Sequence, residues 1–68
     1  MSTAKYYPDY KPKNSAKFAE LEKEFGVCNT EDALRLRVML YSFEPSYDRE
    51  DIMVALGRVE REKGWKLS

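Results

Sequence analysis

The chain has a single cysteine, Cys28, and no histidine among its 68 residues. One cysteine cannot form an internal disulfide, and histidine is the commonest metal ligand, so two usual means of reinforcing a small domain are missing. A chain of this length buries only about 60% of the surface that its unfolded form exposes. We therefore expect one domain with a thin core, stabilised by helix packing, by a flanking segment or by a partner.

Charge is balanced overall but unevenly distributed along the chain. Lys plus Arg and Asp plus Glu each number 12, so no net field attracts nucleic acid or an anionic membrane. Residues 1–18 carry four lysines against one aspartate, whereas residues 19–32 carry five acids against one lysine. No apolar run approaches the roughly 20 residues of a membrane span, and the N-terminus does not resemble a signal peptide. With one unpaired cysteine, these features predict a soluble, cytoplasmic protein.

Residues 1–13 are predicted to form an extended N-terminal arm. The arm interleaves basic and aromatic side chains with two prolines: Lys5, Tyr6, Tyr7, Pro8, Tyr10, Lys11, Pro12 and Lys13. The prolines lack a backbone donor and restrict the residue before them, which disfavours a helix. Three roles remain open: the arm packs on its own domain, contacts a partner through its tyrosines, or tracks a phosphate backbone. We take Tyr6, Tyr7, Tyr10 and Lys11 as candidate partner-binding residues.

Residues 14–68 are predicted to form an all-α domain, a small three-helix bundle with helices at about 15–25, 31–43 and 48–63. Capping residues precede each helix: Asn14 or Ser15, Asn29-Thr30, and Ser46 or Asp48. Gly26 and Gly64 are predicted to end the first and third helices in the left-handed conformation. Phe18, Leu21 and Phe25 form one stripe of the first helix; Ile52, Leu56 and Val59 form one of the third. Trp65 is expected to fold back on the last turn, and Gly57 to lie outside the main stripe.

No pattern in the chain indicates catalysis. A Ser-His-Asp or Cys-His set is impossible without histidine, and the three glycines are isolated, so no phosphate-binding loop is present. Two acidic runs, Glu20 to Glu24 and Asp48 to Asp51, are interpreted as solvated faces and helix caps, and Cys28 as a small apolar side chain. We therefore predict no catalytic residue, no metal and no cofactor, and a protein that is not an enzyme.

The middle helix is apolar around most of its circumference. Leu34, Val38 and Tyr41 cluster on one side, and a second set lies nearly opposite: Leu36, Met39, Leu40 and Phe43. The interior of this segment also alternates like a strand, but a lone strand between helices has no partner. Two neighbouring helices would leave part of this surface open. We expect the arm, Trp65 or another chain to cover Leu36, Leu40 and Phe43, which we take as candidate binding residues.

A second candidate surface lies on the third helix. Val54 is predicted to face away from the apolar stripe, with Arg58 and Arg61 beside it and Gly57 nearby. An exposed valine between two arginines is suited to docking a protein. An ordinary surface position is the alternative, since scattered exposed apolar residues are normal.

These features favour a non-enzymatic protein-binding module, an accessory or inhibitory regulator of a larger protein machine. Small phage-encoded regulators have a similar profile of size and composition. The partner is expected to be another protein, with a homodimer possible and nucleic acid disfavoured. The alternative is a DNA-binding regulator or excisionase-like factor that uses the basic arm and a helix-turn-helix-like pair. Against it, Asp48, Glu50 and Asp51 crowd the start of the third helix, where they would repel phosphate.

Overall fold

The computed structural model describes residues 10–66 and contains three α-helices in that range: α1 (Ser15–Gly26), α2 (Thr30–Phe43) and α3 (Arg49–Lys63). The described residues form no strand, including the alternating segment of α2. The predicted all-α, three-helix fold is therefore confirmed. The helices begin and end within one residue of the predicted positions.

The side chains of Asn14, Asn29 and Asp48 cap the three helices. Each accepts a hydrogen bond from a backbone amide two or three residues further on, at 2.8 to 3.3 Å. These bonds satisfy amides that have no partner inside the helix. All three caps belong to the pairs of residues predicted from the sequence, so local chemistry decides where each helix begins.

The two terminal glycines behave differently from each other. Gly64 ends α3 with a φ of 72°, and the Trp65 amide then donates to the carbonyl of Glu60 at 2.9 Å. Gly26 remains inside α1, so the predicted left-handed ending there is wrong. Val27 follows in a near-helical conformation, and its amide donates to the carbonyl of Lys23 at 3.3 Å. The chain continues the helical turn there and does not reverse it.

Helix α3 is the centre of the bundle. Both α1 and α2 pack on α3, and they have much less contact with each other. The core contains ten apolar residues: Phe18, Leu21, Phe25, Ala33, Leu40, Ile52, Val54, Ala55, Leu56 and Val59. Burying a Leu, Ile or Phe side chain contributes about 1.5–3 kcal/mol. Because five of the ten belong to α3, the orientation of this helix determines which surfaces α1 and α2 leave open.

Candidate functional site

The side of α2 that points away from α3 is open and apolar. It is lined by Leu34, Arg35, Val38 and Met39, which we call the outer face. Val38 and Met39 are each 55% exposed, a large fraction for apolar side chains on a helix of a small domain. Arg35 crosses the helix surface to Glu31 one turn earlier, at 2.6 Å. The outer face is therefore a contiguous apolar surface with one ion pair beside it.

Leu36 and Leu40 were expected to be covered by the arm, Trp65 or another chain, and the structure needs no second chain to bury Leu40, since Tyr10 of the arm and Trp65 pack against the same cluster. Leu40 is only 7% exposed in the core, and half-buried Leu36 packs against the same cluster. Of the three candidate binding residues on this side, Phe43 is open, at 75% exposed, and Met39 of the same set is 55% exposed. The reason is rotational: α2 turns Leu36 and Leu40 toward the domain core, and Val38 away from it.

The predicted docking surface around Val54 is not present. Val54 is completely buried, as are its neighbours Ala55 and Leu56. Residues at three successive helical positions point in different directions, so α3 is buried around most of its circumference. Arg58 is largely covered as well; its guanidinium lies 5.0 Å from the centre of the Phe18 ring and 3.7 Å from the Glu22 carboxylate. Arg61 is exposed, but both valines of α3, Val54 and Val59, are buried.

The described end of the arm, residues 10–13, packs on the domain through Asp51. Tyr10 is half-buried, with its ring 5.9 Å from that of Phe18, and its hydroxyl donates to the Asp51 carboxylate. The pKa of the Tyr10 phenol is raised above its ordinary value. Burial is the larger cause, and the hydrogen bond to Asp51 is the next. Lys11 is exposed. The candidates Tyr6 and Tyr7 lie outside the described residues.

The interpretation of Asp51 as a solvated acid is wrong. Asp51 is 2% exposed, and its carboxylate also accepts hydrogen bonds from the backbone amides of Lys13 and Asn14, at 3.0 and 3.2 Å. Sequence reasoning missed this role because the donors are 37 or more positions away. The neighbouring acids follow the expectation, since Asp48 caps α3 and Glu50 forms an exposed ion pair with Lys13 at 3.3 Å.

A groove between α1 and α2 was also missed from the sequence. Its lining residues come from both helices and the loop after α2: Glu20, Leu21, Glu24, Leu36, Leu40, Glu44 and Tyr47. The hydroxyl of Tyr47 donates to Glu20 at 3.2 Å, and the ammonium of Lys17 lies 4.7 Å from the centre of the tyrosine ring. The spacing of Glu20, Leu21 and Glu24 could have indicated the α1 side. The opposite side depends on the packing of α2 and its loop.

Two further groups bear on possible chemistry. Cys28 is half-buried, and its thiol donates to the carbonyl of Glu24 at 3.1 Å. Burial and then the charges of Asp32 and Glu24 raise the pKa of the thiol, which disfavours the reactive thiolate. Glu60 is 1% exposed, and neither of its carboxyl oxygens has a hydrogen-bond partner within residues 10–66. Burial raises the pKa of this carboxyl, because it disfavours the charged form.

Residues 10–66 contain no group of three or more His, Cys, Asp or Glu side chains positioned to hold a metal ion. Within the same range, no helix has the length and apolar character to span a bilayer. No protein-family model, curated protein or solved structure matches the chain significantly.

Proposed function

We propose that this protein is a non-enzymatic protein-binding module that acts as an accessory or inhibitory regulator of a larger protein machine. The observation that supports this proposal is the outer face of α2. Val38 and Met39 are more than half exposed although the opposite side of the same helix contributes Leu40 to the core. Contiguous exposed apolar side chains beside polar ones are found at interaction surfaces. The single thiol, Cys28, favours a reducing setting such as the cytoplasm.

The electrostatics of the described surfaces favour a protein over nucleic acid. Arg35, the one cation of the outer face, is already paired with Glu31. The first turn of α3 holds Glu50 and Asp51 after the capping Asp48. Asp48 and Glu50 are exposed at this end, so the helix presents two carboxylates where a recognition helix would approach phosphates.

Site-specific photo-crosslinking tests the proposal. A benzophenone side chain in place of Met39 should give a discrete adduct with one protein in extract of the native cell. The Val38→Asp substitution should eliminate that adduct, because a charge on the outer face opposes apolar docking. Ala19→Asp, at an exposed position of α1, is the matched control and should leave the adduct unchanged.

Two results would count against the proposal. One is a Met39 crosslinking pattern that Val38→Asp and Ala19→Asp affect equally, with helical content retained in both variants. The other is a sequence-dependent gel shift with DNA at physiological salt and sub-micromolar affinity, which would favour the DNA-binding alternative. Light scattering on the pure protein separates a second copy of this chain from a different partner.

A further inference from the structure

The groove between α1 and α2 has an apolar floor. It exists because both helices pack on α3 and leave a gap between themselves. Leu21 and Leu40 close the bottom of the gap, being 1% and 7% exposed. Leu36 is only partly buried, so it presents apolar surface to whatever enters. The floor therefore suits the aliphatic part of an incoming side chain.

Three carboxylates surround this floor. Glu20 and Glu24 stand one helical turn apart on α1, and Glu44 follows the end of α2. All three are exposed, and none forms a salt bridge with a cation within residues 10–66. Lys17, the cation beside Tyr47, instead places its ammonium over the tyrosine ring and 3.3 Å from the hydroxyl of Ser46. The groove thus has a negative rim.

The charges of the three carboxylates all affect the same side chain, Tyr47. Tyr47 lies at the groove, and its pKa is raised first by burial and next by its hydrogen bond to Glu20. The charges of Glu20, Glu44 and Glu24 raise it further. Since each of these charges disfavours a negative phenolate at this position, each also favours a positive group placed there.

The chemistry of the groove selects among possible occupants. A metal ion is disfavoured, because the carboxylates of the described residues do not converge as a ligand set. Nucleic acid and anionic lipid headgroups would be repelled by the rim. A purely apolar side chain would cover the floor but remove water from the carboxylates without replacing its hydrogen bonds. Lysine and arginine combine an apolar stem with a charged head, so they match both parts of the groove.

We propose that the groove between α1 and α2 receives a lysine or arginine side chain from a partner protein. Its stem lies on Leu36 and Leu40, and its charged head lies among Glu20, Glu24 and Glu44. This surface is distinct from the outer face of α2, and the inference depends on the proposed function only in that the occupant belongs to a protein. A partner that wraps over α2 would contact both surfaces.

Peptide titration followed by NMR tests this inference on the full chain. The probe is a 15-residue amphipathic peptide of leucine and lysine, and its control is the same peptide with every lysine acetylated. The lysine peptide should shift the methyl resonances of Leu36 and Leu40 and the ring resonances of Tyr47. Acetylation should weaken binding about tenfold, because it removes the charge and retains the stem.

Substitutions in the rim locate the effect. The Glu20→Gln/Glu24→Gln/Glu44→Gln triple variant should weaken binding of the lysine peptide about tenfold, in line with three partly exposed ion pairs. Glu24→Gln alone should have a smaller effect, and Glu62→Gln, an equal charge change on an exposed turn of α3, should have none. Circular dichroism of each variant verifies that the helices are retained.

The inference is overturned if the lysine and acetyl-lysine peptides bind equally, or if the triple variant binds as the wild type does. It is also overturned if the shifts are confined to Leu34, Val38 and Met39. That last result would support the outer face as the docking surface while rejecting the groove, so the two proposals can fail separately. Conversely, groove shifts that persist in Val38→Asp would support the groove alone.

Discussion

The phenol of Tyr10 donates a hydrogen bond to the carboxylate of Asp51, which lies 41 positions further along the chain. The same carboxylate accepts hydrogen bonds from the backbone amides of Lys13 and Asn14, and Asn14 caps α1. One nearly buried side chain in the first turn of α3 therefore fixes the end of the arm and the start of α1. The contact joins two residues that are 41 positions apart in the sequence.

Removing this carboxylate should destabilise the domain. We expect Asp51→Ala to lower the free energy of unfolding by about 3 kcal/mol, because three donors lose a buried charged acceptor. Tyr10→Phe removes one of these bonds and should cost about 1 kcal/mol. Urea unfolding followed by circular dichroism measures both values. Glu50→Gln, next to Asp51 but exposed, is the control and should change stability by less than about 0.5 kcal/mol.

Glu60 should destabilise the folded state near neutral pH. Its carboxyl is buried with no hydrogen-bond partner among the described residues and its pKa is raised, so the folded state binds this proton more tightly than the unfolded chain. The protonated Glu60 carboxyl therefore contributes to stability. This contribution is fully present below 4.5, the ordinary pKa of glutamate, and is lost as pH rises through the raised pKa of Glu60 in the folded state. We expect Glu60→Met to raise the free energy of unfolding at pH 7 by roughly 1–2 kcal/mol.

Urea unfolding of wild type and Glu60→Met at several pH values measures this effect. The difference in free energy of unfolding between Glu60→Met and the wild type should increase from pH 4 to pH 7. The difference between Glu62→Gln and the wild type should show no such trend. For Glu60→Met, a difference that decreases with rising pH would mean that the Glu60 carboxylate has a stabilising partner in solution.

Val54 of α3 and Val38 of α2 should respond in opposite ways to the same substitution. Val54 is completely buried, so Val54→Ala should lower the free energy of unfolding by about 2 kcal/mol through lost burial and a residual cavity. Val38 is 55% exposed, and Val38→Ala should change the free energy of unfolding by less than about 0.5 kcal/mol. Chemical denaturation of the two variants measures both changes. Because each variant replaces valine by alanine, the comparison isolates the effect of burial. Equal losses would contradict the orientation of α2 or of α3.

Substitutions at Leu40 and Phe43, which lie on the same helix, should also differ in their effect on stability. Leu40→Asp places a charge in the core and should abolish the helical signal, since an unpaired buried charge exceeds the marginal stability of a small domain. Phe43→Ser removes an aromatic side chain that is 75% exposed and should leave the thermal melting curve nearly unchanged. A folded Leu40→Asp protein would show that this side of α2 is open.

The sequence by itself determined the number, type and limits of the helices. Capping is a contact between residues two or three positions apart, so Asn14, Asn29 and Asp48 could be recognised without any tertiary information. The α1 stripe of Phe18, Leu21 and Phe25 was equally readable, because a helix with one apolar side has only one way to face a core.

Only the tertiary structure decided how α2 and α3 are rotated. Both helices have apolar residues on several sides, so periodicity alone could not say that Leu40 and Val54 are buried while Val38 is open. The same limit applies to polar groups. Asp51 looks like one more acid in a helical turn until the fold brings Tyr10 to it, and the groove acids become a site only when α1 and α2 lie side by side on α3. Burial depends on what the rest of the chain places opposite a residue, and neighbouring positions in the sequence do not contain that information.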